Sequence, residues 1–416
     1  MYPHLPPLDH ATRRLLDDLA RRLADALGHQ LAGVYLHGSL ALGAFRREHS
    51  DLDLLIVADA PVSQPVRRAL LDALLDADDS PDAPAGGLEC SLVLLDDCRR
   101  PTHPLPFSLH YSRAHAQPAR ENPDAFVQRM TGNDHDLVAY LELIRQHGVV
   151  LLGRPIAETF GPIAPADLRD SLERNVPEPP LAGDDLLNAC RLAAFRRTGQ
   201  LLSKEEGAAW ARQHAPEFPA DDLRALLRLR QPGAIVQPTP DDLPDDLLDD
   251  FQRRQPVTHC WRRRDGQWRL LPIAFTDDWT PQQLRDNAAD LRRTLRDGGN
   301  VLLALHARRV IGFAALAASP IGSRGQYLQL TDLHVSLPWR GLGLGTRLFR
   351  RVCEEAARRD AAKLYISAQS SQETQAFYRA MGCREATEYQ PALVAAEPCD
   401  CQLERDLEDT AQSRLS

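Results

Sequence analysis

Lysine is nearly missing from this chain of 416 residues: it occurs only at positions 204 and 363, and arginine carries the rest of the positive charge. In such a composition a retained lysine points to a place where a compact ammonium serves and a planar guanidinium does not. No apolar run approaches the roughly 20 residues needed to cross a bilayer, so no membrane partner is expected. The opening Met1-Tyr-Pro-His-Leu-Pro-Pro7 lacks a basic flank and an apolar core, so no secretory signal is expected and the expected location is cytoplasmic. The eight cysteines fall without a zinc-like frame, and Cys399-x-Cys401 is too closely spaced for an ordinary ligand pair. Reduced structural thiols are expected. No basic track is visible and the formal net charge is −9, which argues against a nucleic-acid partner and suits a cationic small molecule. The length leads us to expect two or three domains.

What is present begins with residues 37–53, His-Gly-Ser-Leu-Ala-Leu-Gly-Ala-Phe-Arg-Arg-Glu-His-Ser-Asp-Leu-Asp. Apolar runs at Leu31–Leu36 and Leu54–Val57 flank it and have strand character. Alternate strand residues share a face, so Asp51 and Asp53 project side by side. Adjacent carboxylates repel, and a hard divalent cation with oxygen ligands, most often Mg²⁺, relieves that repulsion. Gly38 lets backbone N–H groups approach a phosphate, and Ser39 adds a hydroxyl donor. Strand, Gly-Ser turn, spacer and Asp-x-Asp strand together resemble the signature of the DNA polymerase β-like nucleotidyltransferase superfamily. That resemblance implies a third carboxylate on a neighbouring strand acting as the base, and Glu89, near the entry of Leu88–Leu95, is the residue expected to fill the role.

A helix is expected over residues 9–28 and another over 65–76, then a change to mostly helical text over 123–230. Asp134–His147 reads as an amphipathic helix with Leu137, Tyr140, Leu141 and Ile144 at helical spacing, and Gly148–Pro155 reads as a short apolar connector. Ser203 with Glu206 three residues on forms a capping box, opening a helix after one that stops near Gly199. With the earlier signature, this passage resembles the streptomycin/spectinomycin group of aminoglycoside nucleotidyltransferases. The resemblance implies ATP bound between a catalytic and a helical domain. It makes Asp51 and Asp53 the Mg²⁺ ligands, and Gly38, Ser39, Arg191 and Lys204 the nucleotide contacts. The Gly183-Asp184-Asp185 stretch is the nearest counterpart of the drug-contacting acids, offset along the chain.

Residues 231–256, rich in proline and carrying the acidic run Asp241–Asp250, read as a linker. Beyond it, strand and helix patterns alternate. Arg340-Gly-Leu-Gly-Leu-Gly345 joins a strand to an amphipathic helix, and its glycines leave backbone N–H groups free to face a pyrophosphate. Arg-x-x-Gly-x-Gly after a strand and hairpin resembles the acetyl-CoA loop of the GNAT acetyltransferase superfamily. The resemblance implies acetyl-CoA contacts at Leu333, Val335, Arg340, Gly341, Leu342, Gly343, Leu344 and Gly345. It also implies that Tyr378 protonates the departing thiolate. Asp332 and His334 share a strand face and are the candidates for the base, directly or through water.

The expected fold class is α+β multidomain. Residues 1–122 form a nucleotidyltransferase α/β domain, 123–230 a helical nucleotide- and substrate-binding domain, and 257–416 a GNAT domain with a mixed, mostly antiparallel sheet. The expected function is bifunctional antibiotic modification: O-adenylylation from Mg-ATP by the first half and N-acetylation from acetyl-CoA by the second. The alternatives are a GNAT half that only binds or that acetylates an unrelated substrate, and a protein-adenylylating enzyme. A homodimer is compatible with the sequence, which leaves assembly open.

Overall fold

The computed structural model describes residues 8–407; the opening Met1–Pro7 stretch and the end of the 257–416 assignment lie outside them. The chain divides into two compact units, Met1–Pro232 and Gly233–Ser416. Among the described residues no helix is long and apolar enough to cross a membrane. All eight cysteines are free, and all but Cys399 are buried.

The first unit has strands β1 (Leu31–Leu36), β2 (Asp51–Ala58), β3 (Gly87–Leu94), β4 (Leu105–Phe107), β5 (Leu109–Ser112), β6 (Gly132–Asp134) and β7 (Val149–Gly153). Five of them form a mixed sheet in the order β5-β3-β2-β1-β7, and β4 pairs with β6 as a separate ribbon. Within the sheet only β2 and β3 run parallel, with Asp51 opposite Gly87 and Asp53 opposite Glu89. Helix His10–Leu27 buries its Leu15, Leu16, Leu19 and Leu23 stripe against one face of the sheet, beside helix Gln64–Asp78. Burying one such leucine contributes about 2 kcal/mol.

The opposite face is covered by helix Leu137–His147, which serves two cores at once. Leu137, Leu141 and Ile144, spaced four and three apart, pack on the sheet with Tyr35, Leu55 and Val57. Ala139 and Leu143 belong instead to the core of the helical part, with Leu168, Leu172, Leu192 and Phe195. Between these two stripes the same helix sends Tyr140 into the cleft. Helices Pro165–Arg174, Gly183–Thr198, Lys204–His214 and Ala220–Arg230 complete the unit. The expected break at residue 122 differs from the structure: Phe126 and Val127 lie in the sheet's core, and the 148–155 connector contains β7, an edge strand beside β1. Its Val-Val-Leu-Leu run is short, but β1 offers it a free antiparallel edge.

The second unit contains β8 (Ala234–Val236), β9 (Gln255–Arg264), β10 (Gln267–Asp277), β11 (Asn300–His306), β12 (Arg309–Leu316), β13 (Tyr327–Val335), β14 (Lys363–Ala368), β15 (Arg384–Glu385) and β16 (Cys401–Asp406). Its seven-stranded sheet runs β15-β16-β14-β13-β12-β11-β8, with β9 and β10 as a separate hairpin. Only β13 and β14 are parallel, joined through helix Leu344–Arg358. Their pairing stops at Leu330 opposite Ile366, whereas β12 stays paired with β13 as far as Val335. The sheet therefore opens between β13 and β14 from Thr331 onward.

The stretch 231–256 is not a free tether. Ala234–Val236 pairs with Leu303–Leu305, and Leu243, Leu248 and Phe251 are buried with Leu284, Ala288 and Leu291. The acidic run keeps its carboxylates in water while the interspersed apolar side chains face a core. Phe251 also packs on Phe313 at 5.3 Å between ring centroids. Phe251→Ala is therefore expected to destabilise the second unit by about 3–5 kcal/mol in denaturant unfolding. An unchanged midpoint would restore the linker reading.

Candidate active sites

The first site is assembled where β1 turns into β2. Gly38 has φ +62°, and a Cβ there would overlap the Oδ2 of Asp53, so both the backbone conformation and the close approach require glycine. The turn is tied down by the His37 N–H, which donates to the Asp53 carbonyl at 3.0 Å. The Ser39 N–H donates to the Asp53 carboxylate. The parallel register puts Glu89 directly opposite Asp53. Carboxylate oxygens of Asp51, Asp53 and Glu89 consequently lie within 4.8 Å of one another.

Holding the acids so closely perturbs Asp53 and Glu89. Asp53 is pushed well above the usual carboxylate range by burial, then by Asp51 and Glu89. Glu89 is raised by burial and by Asp51. Tyr140 donates its hydroxyl to Glu89 Oε1 at 3.4 Å, and burial followed by the Glu89 charge raises that phenol well above its ordinary value. His37 lies beside Tyr140, ring centroids 5.1 Å apart, and burial lowers its pKa to about 4, so it is neutral at pH 7.

The facing wall comes from the helical part. Gly207, inside helix Lys204–His214, lets that helix approach helix Gly183–Thr198 so closely that a Cβ would stand 2.8 Å from the Arg191 Cα. Ser203 caps the later helix through the expected box: its hydroxyl accepts from the Glu206 N–H at 3.1 Å, and its own N–H donates to Glu206 at 2.9 Å. Lys204 follows in the first turn, its Nζ 2.8 Å from Asp184 Oδ2. Asp184 lies below its usual range: burial raises it, but Lys204 and Arg230 together lower it further. Arg191 is buried, and burial lowers its pKa. Two buried atoms, Ser39 Oγ and Arg191 Nε, have no hydrogen-bond partner among the described residues. Ser39, Asp51, Glu89, Tyr140, Arg191 and Lys204 line one cleft of 590 Å³.

The structure thus brings Gly38, Ser39, Asp51, Asp53, Glu89, Arg191 and Lys204 to a single cleft. Sequence reasoning missed Tyr140, which it counted in an apolar helical stripe, and Arg230, which shares Asp184 with Lys204. It also passed over His37, whose place just before Gly38-Ser39 was the available signal. Three clustered acids with one deeply perturbed suit a divalent cation, and the unpartnered Ser39 Oγ and Arg191 Nε suit an anionic ligand.

In the second unit the glycine loop lies between β13 and helix Leu344–Arg358. Gly341 and Gly343 have φ of +75° and +87°. A Cβ at either would meet nothing within 4 Å, so conformation rather than space requires glycine. Gly345 is different: a Cβ there would stand 3.3 Å from the Phe377 ring. Leu342 and Leu344 are buried and anchor the loop, and Leu333 and Val335 lie on the part of β13 that β14 leaves unpaired. Arg340 points back into the fold. Its guanidinium donates to the carbonyls of Val335 at 2.8 Å, Arg253 at 2.9 Å and Arg254 at 3.0 Å.

Asp332 and His334 do share a face of β13, with His334 Nε2 and Asp332 Oδ1 3.8 Å apart, beyond hydrogen-bond length. His334 packs edge-on against Trp279 at 4.8 Å. Burial and the charges of Arg253 and Arg340 hold its pKa at about 3. Asp332 is raised by burial. Tyr378 is buried beside Phe377 at 5.2 Å between centroids. Its phenol is raised by burial, then by Cys383, Asp332 and Asp400. Asp400, which sequence reasoning missed, is pushed up to about 6 by burial and by Glu397.

The sign of the acid perturbation gives a test. In the folded, cation-free protein Asp53 keeps its proton to higher pH than in the unfolded chain. The resulting penalty is absent well below the unfolded value, grows as pH rises through it, and is complete once folded Asp53 has ionised. Asp53→Asn is expected to raise the melting temperature of the metal-free chain by several degrees at pH 8 and by little at pH 4. A destabilised variant at pH 8 would contradict this electrostatic account.

Family models match three stretches: the nucleotidyltransferase domain over residues 16–84, the aminoglycoside adenylyltransferase C-terminal domain over 158–231, and the acetyltransferase (GNAT) family over 241–383. The chain is similar to an aminoglycoside (3'') (9) adenylyltransferase of Klebsiella pneumoniae, 29% identical over 207 residues covering 48% of this chain and 76% of the relative. One from Rhizobium radiobacter is 28% identical over 194 residues, covering 44% and 70%. Among solved structures it is similar to the spectinomycin adenyltransferase AAD(9) of Enterococcus faecialis with ATP and spectinomycin, at a TM-score of 0.43 and 16% identity, covering 53% of this chain and 88% of that one. A nourseothricin acetyltransferase gives a TM-score of 0.32 and 17% identity, covering 41% and 94%. The chain joins a nucleotidyltransferase domain and an aminoglycoside adenylyltransferase-type C-terminal domain to a GNAT-family acetyltransferase domain, a transferase fused to an acetyltransferase.

Proposed function

We propose that the first unit transfers AMP from Mg-ATP to a hydroxyl of an aminoglycoside or aminocyclitol of the streptomycin or spectinomycin type. The second unit, on this reading, transfers acetyl from acetyl-CoA to an amine of a cationic small molecule. The observation that carries the proposal is one cleft with Asp51, Asp53 and Glu89 on one wall and Arg191 and Lys204 on the other. The adenylyltransferase relatives named above, matched over about three quarters of the Klebsiella pneumoniae protein's length, support the drug class.

Asp51 and Asp53 would hold Mg²⁺, which supplies positive charge to the triphosphate. Glu89, oriented by Tyr140 and made more basic by its surroundings, takes the proton of the attacking hydroxyl. The hydroxyl oxygen bonds to the α-phosphorus as the bond to pyrophosphate breaks. Arg191 and Lys204 meet the negative charge that leaves with the pyrophosphate. Lys204 reaches it by exchanging Asp184 for a phosphate, which its flexible four-carbon stem allows. Asp134 and Asp136 reinforce the negative field at Glu89, an environment that favours a polycationic acceptor.

In the second unit the amine nitrogen attacks the thioester carbonyl, and the thiolate leaves as Tyr378 protonates it. The open edge at Leu333–Val335 offers backbone groups to an extended cofactor arm, and the 341–345 loop offers N–H groups to its pyrophosphate. Arg340 fixes that loop instead of touching the cofactor. Asp332, whose proton affinity burial raises, and His334, 3.8 Å away on the same strand face, are the groups placed to accept the amine proton, directly or through water.

Purified chain is to be given streptomycin, spectinomycin or another aminoglycoside with Mg-ATP or acetyl-CoA in separate reactions. Glu89→Gln should lower AMP transfer by at least about 100-fold and leave acetyl transfer unchanged. Tyr378→Phe should do the reverse, lowering acetyl transfer by about tenfold or more. Retained adenylylation removes Glu89 from the chemistry, and unchanged acetylation removes Tyr378.

A further inference from the structure

Away from the acidic cleft, three side chains of the first unit converge on one point. His103 lies in the loop before β4, His135 lies between β6 and helix Leu137–His147, and Asp170 lies on helix Pro165–Arg174. His103 Nε2 is 2.7 Å from Asp170 Oδ2 and 3.4 Å from His135 Nδ1. The remaining side of the triangle, His135 Nδ1 to Asp170 Oδ2, is 3.8 Å. Ligand atoms on a tetrahedral zinc ion, at about 2.0–2.1 Å from the metal, stand about 3.3 Å apart. The three separations bracket that edge.

His103 Nε2 and Arg174 Nε both lie 2.7 Å from Asp170 Oδ2, and the His135 Nδ1 facing them has one long contact, to His103. The His103 side chain is 7% exposed. Its Nδ1 is buried with no partner among the described residues, so the ring's polar contacts all run through Nε2 into this cluster. The other claim on Asp170 comes from Arg174, whose Nε bonds the same Oδ2 at 2.7 Å.

We propose that His103, His135 and Asp170 form a second metal site for a zinc-class divalent cation, with one coordination position left to water. Two imidazoles and a carboxylate suit zinc and not Mg²⁺, which prefers oxygen ligands. The site joins the loop before β4 to helix Pro165–Arg174 across 67 residues of chain. His135 stands between Asp134 and Asp136, both of which act on the Glu89 charge. A cation held there fixes the turn that carries those two acids. The role is structural: the three ligands contact no reacting group.

The test uses the full chain, stripped with a chelator and dialysed against limiting Zn²⁺ with excess Mg²⁺ to occupy the acidic cleft. Bound zinc is measured by mass spectrometry of the metal, alongside the melting temperature. His135 is a partly exposed side chain, so His135→Ala should fold, and Asp170→Asn keeps the size of its residue. The wild-type chain is expected to retain about one more zinc per chain than either variant, with affinity at least about tenfold higher. Zinc should raise its melting temperature by several degrees and leave the variants unmoved. Arg174→Gln, which removes the competitor for Oδ2, should bind zinc more tightly than wild type. Equal zinc content and equal melting shifts in wild type, His135→Ala and Asp170→Asn would overturn the site, because any zinc taken by thiols or by the acidic cleft is common to all three.

Discussion

Asp53 is pressed between the backbone of Gly38 and the carboxylates of Asp51 and Glu89, and the rest of the first unit is arranged around that crowding. Three acids whose carboxylate oxygens lie within 4.8 Å of one another repel at any pH where they are ionised. The fold offers them few donors: the Ser39 N–H to Asp53 and the Tyr140 hydroxyl to Glu89. The parallel register of β2 and β3 imposes the arrangement, and the leucine- and valine-rich strand interiors hold that register against a one-residue slip. Local stability is given up where chemistry needs a concentrated negative field, a common property of functional sites.

Helix Leu137–His147 carries the arrangement to the opposite wall. One face packs on the sheet, another on the helical core, and Tyr140 projects between them to Glu89. Gly207 draws helix Lys204–His214 against Arg191, so that Arg191 and Lys204 face the acids. Cations on one wall and acids on the other make a cleft that suits a metal-bound polyphosphate better than either wall would alone. In the second unit a comparable constraint acts on the backbone: β13 keeps β12 and loses β14 after Leu330, leaving main-chain groups unpaired beside a glycine loop that Arg340 clamps from behind.

Much of this was legible in the sequence, for identifiable reasons. Asp-x-Asp at a strand start, the Gly-Ser turn, the Ser203 capping box and the glycine loop are local patterns whose geometry follows from spacing of a few residues. What escaped depends on tertiary partners. Val149–Gly153 reads as a connector until β1 offers it an edge. The 231–256 stretch reads as a tether because proline and aspartate dominate it, yet Leu243, Leu248 and Phe251 suffice to dock it. Tyr140 is indistinguishable from its core-facing neighbours without knowing which side of the helix meets the cleft. Arg340 matches the loop pattern, but no pattern shows that its guanidinium turns toward Val335, Arg253 and Arg254.

The most direct test of the central claim is calorimetric titration of Mg-ATP into the wild-type chain and into Gly38→Ala, with folding of both checked by circular dichroism. The variant keeps every carboxylate, arginine and lysine of the cleft and disturbs only the Gly38 turn, through its positive-φ backbone and its contact with Asp53. The account predicts clear binding to wild type and at least a tenfold loss in a folded Gly38→Ala chain, the size of about 1.4 kcal/mol or more. Equal binding by the two proteins would show that the pressing of Asp53 by the Gly38 turn is not what makes the site.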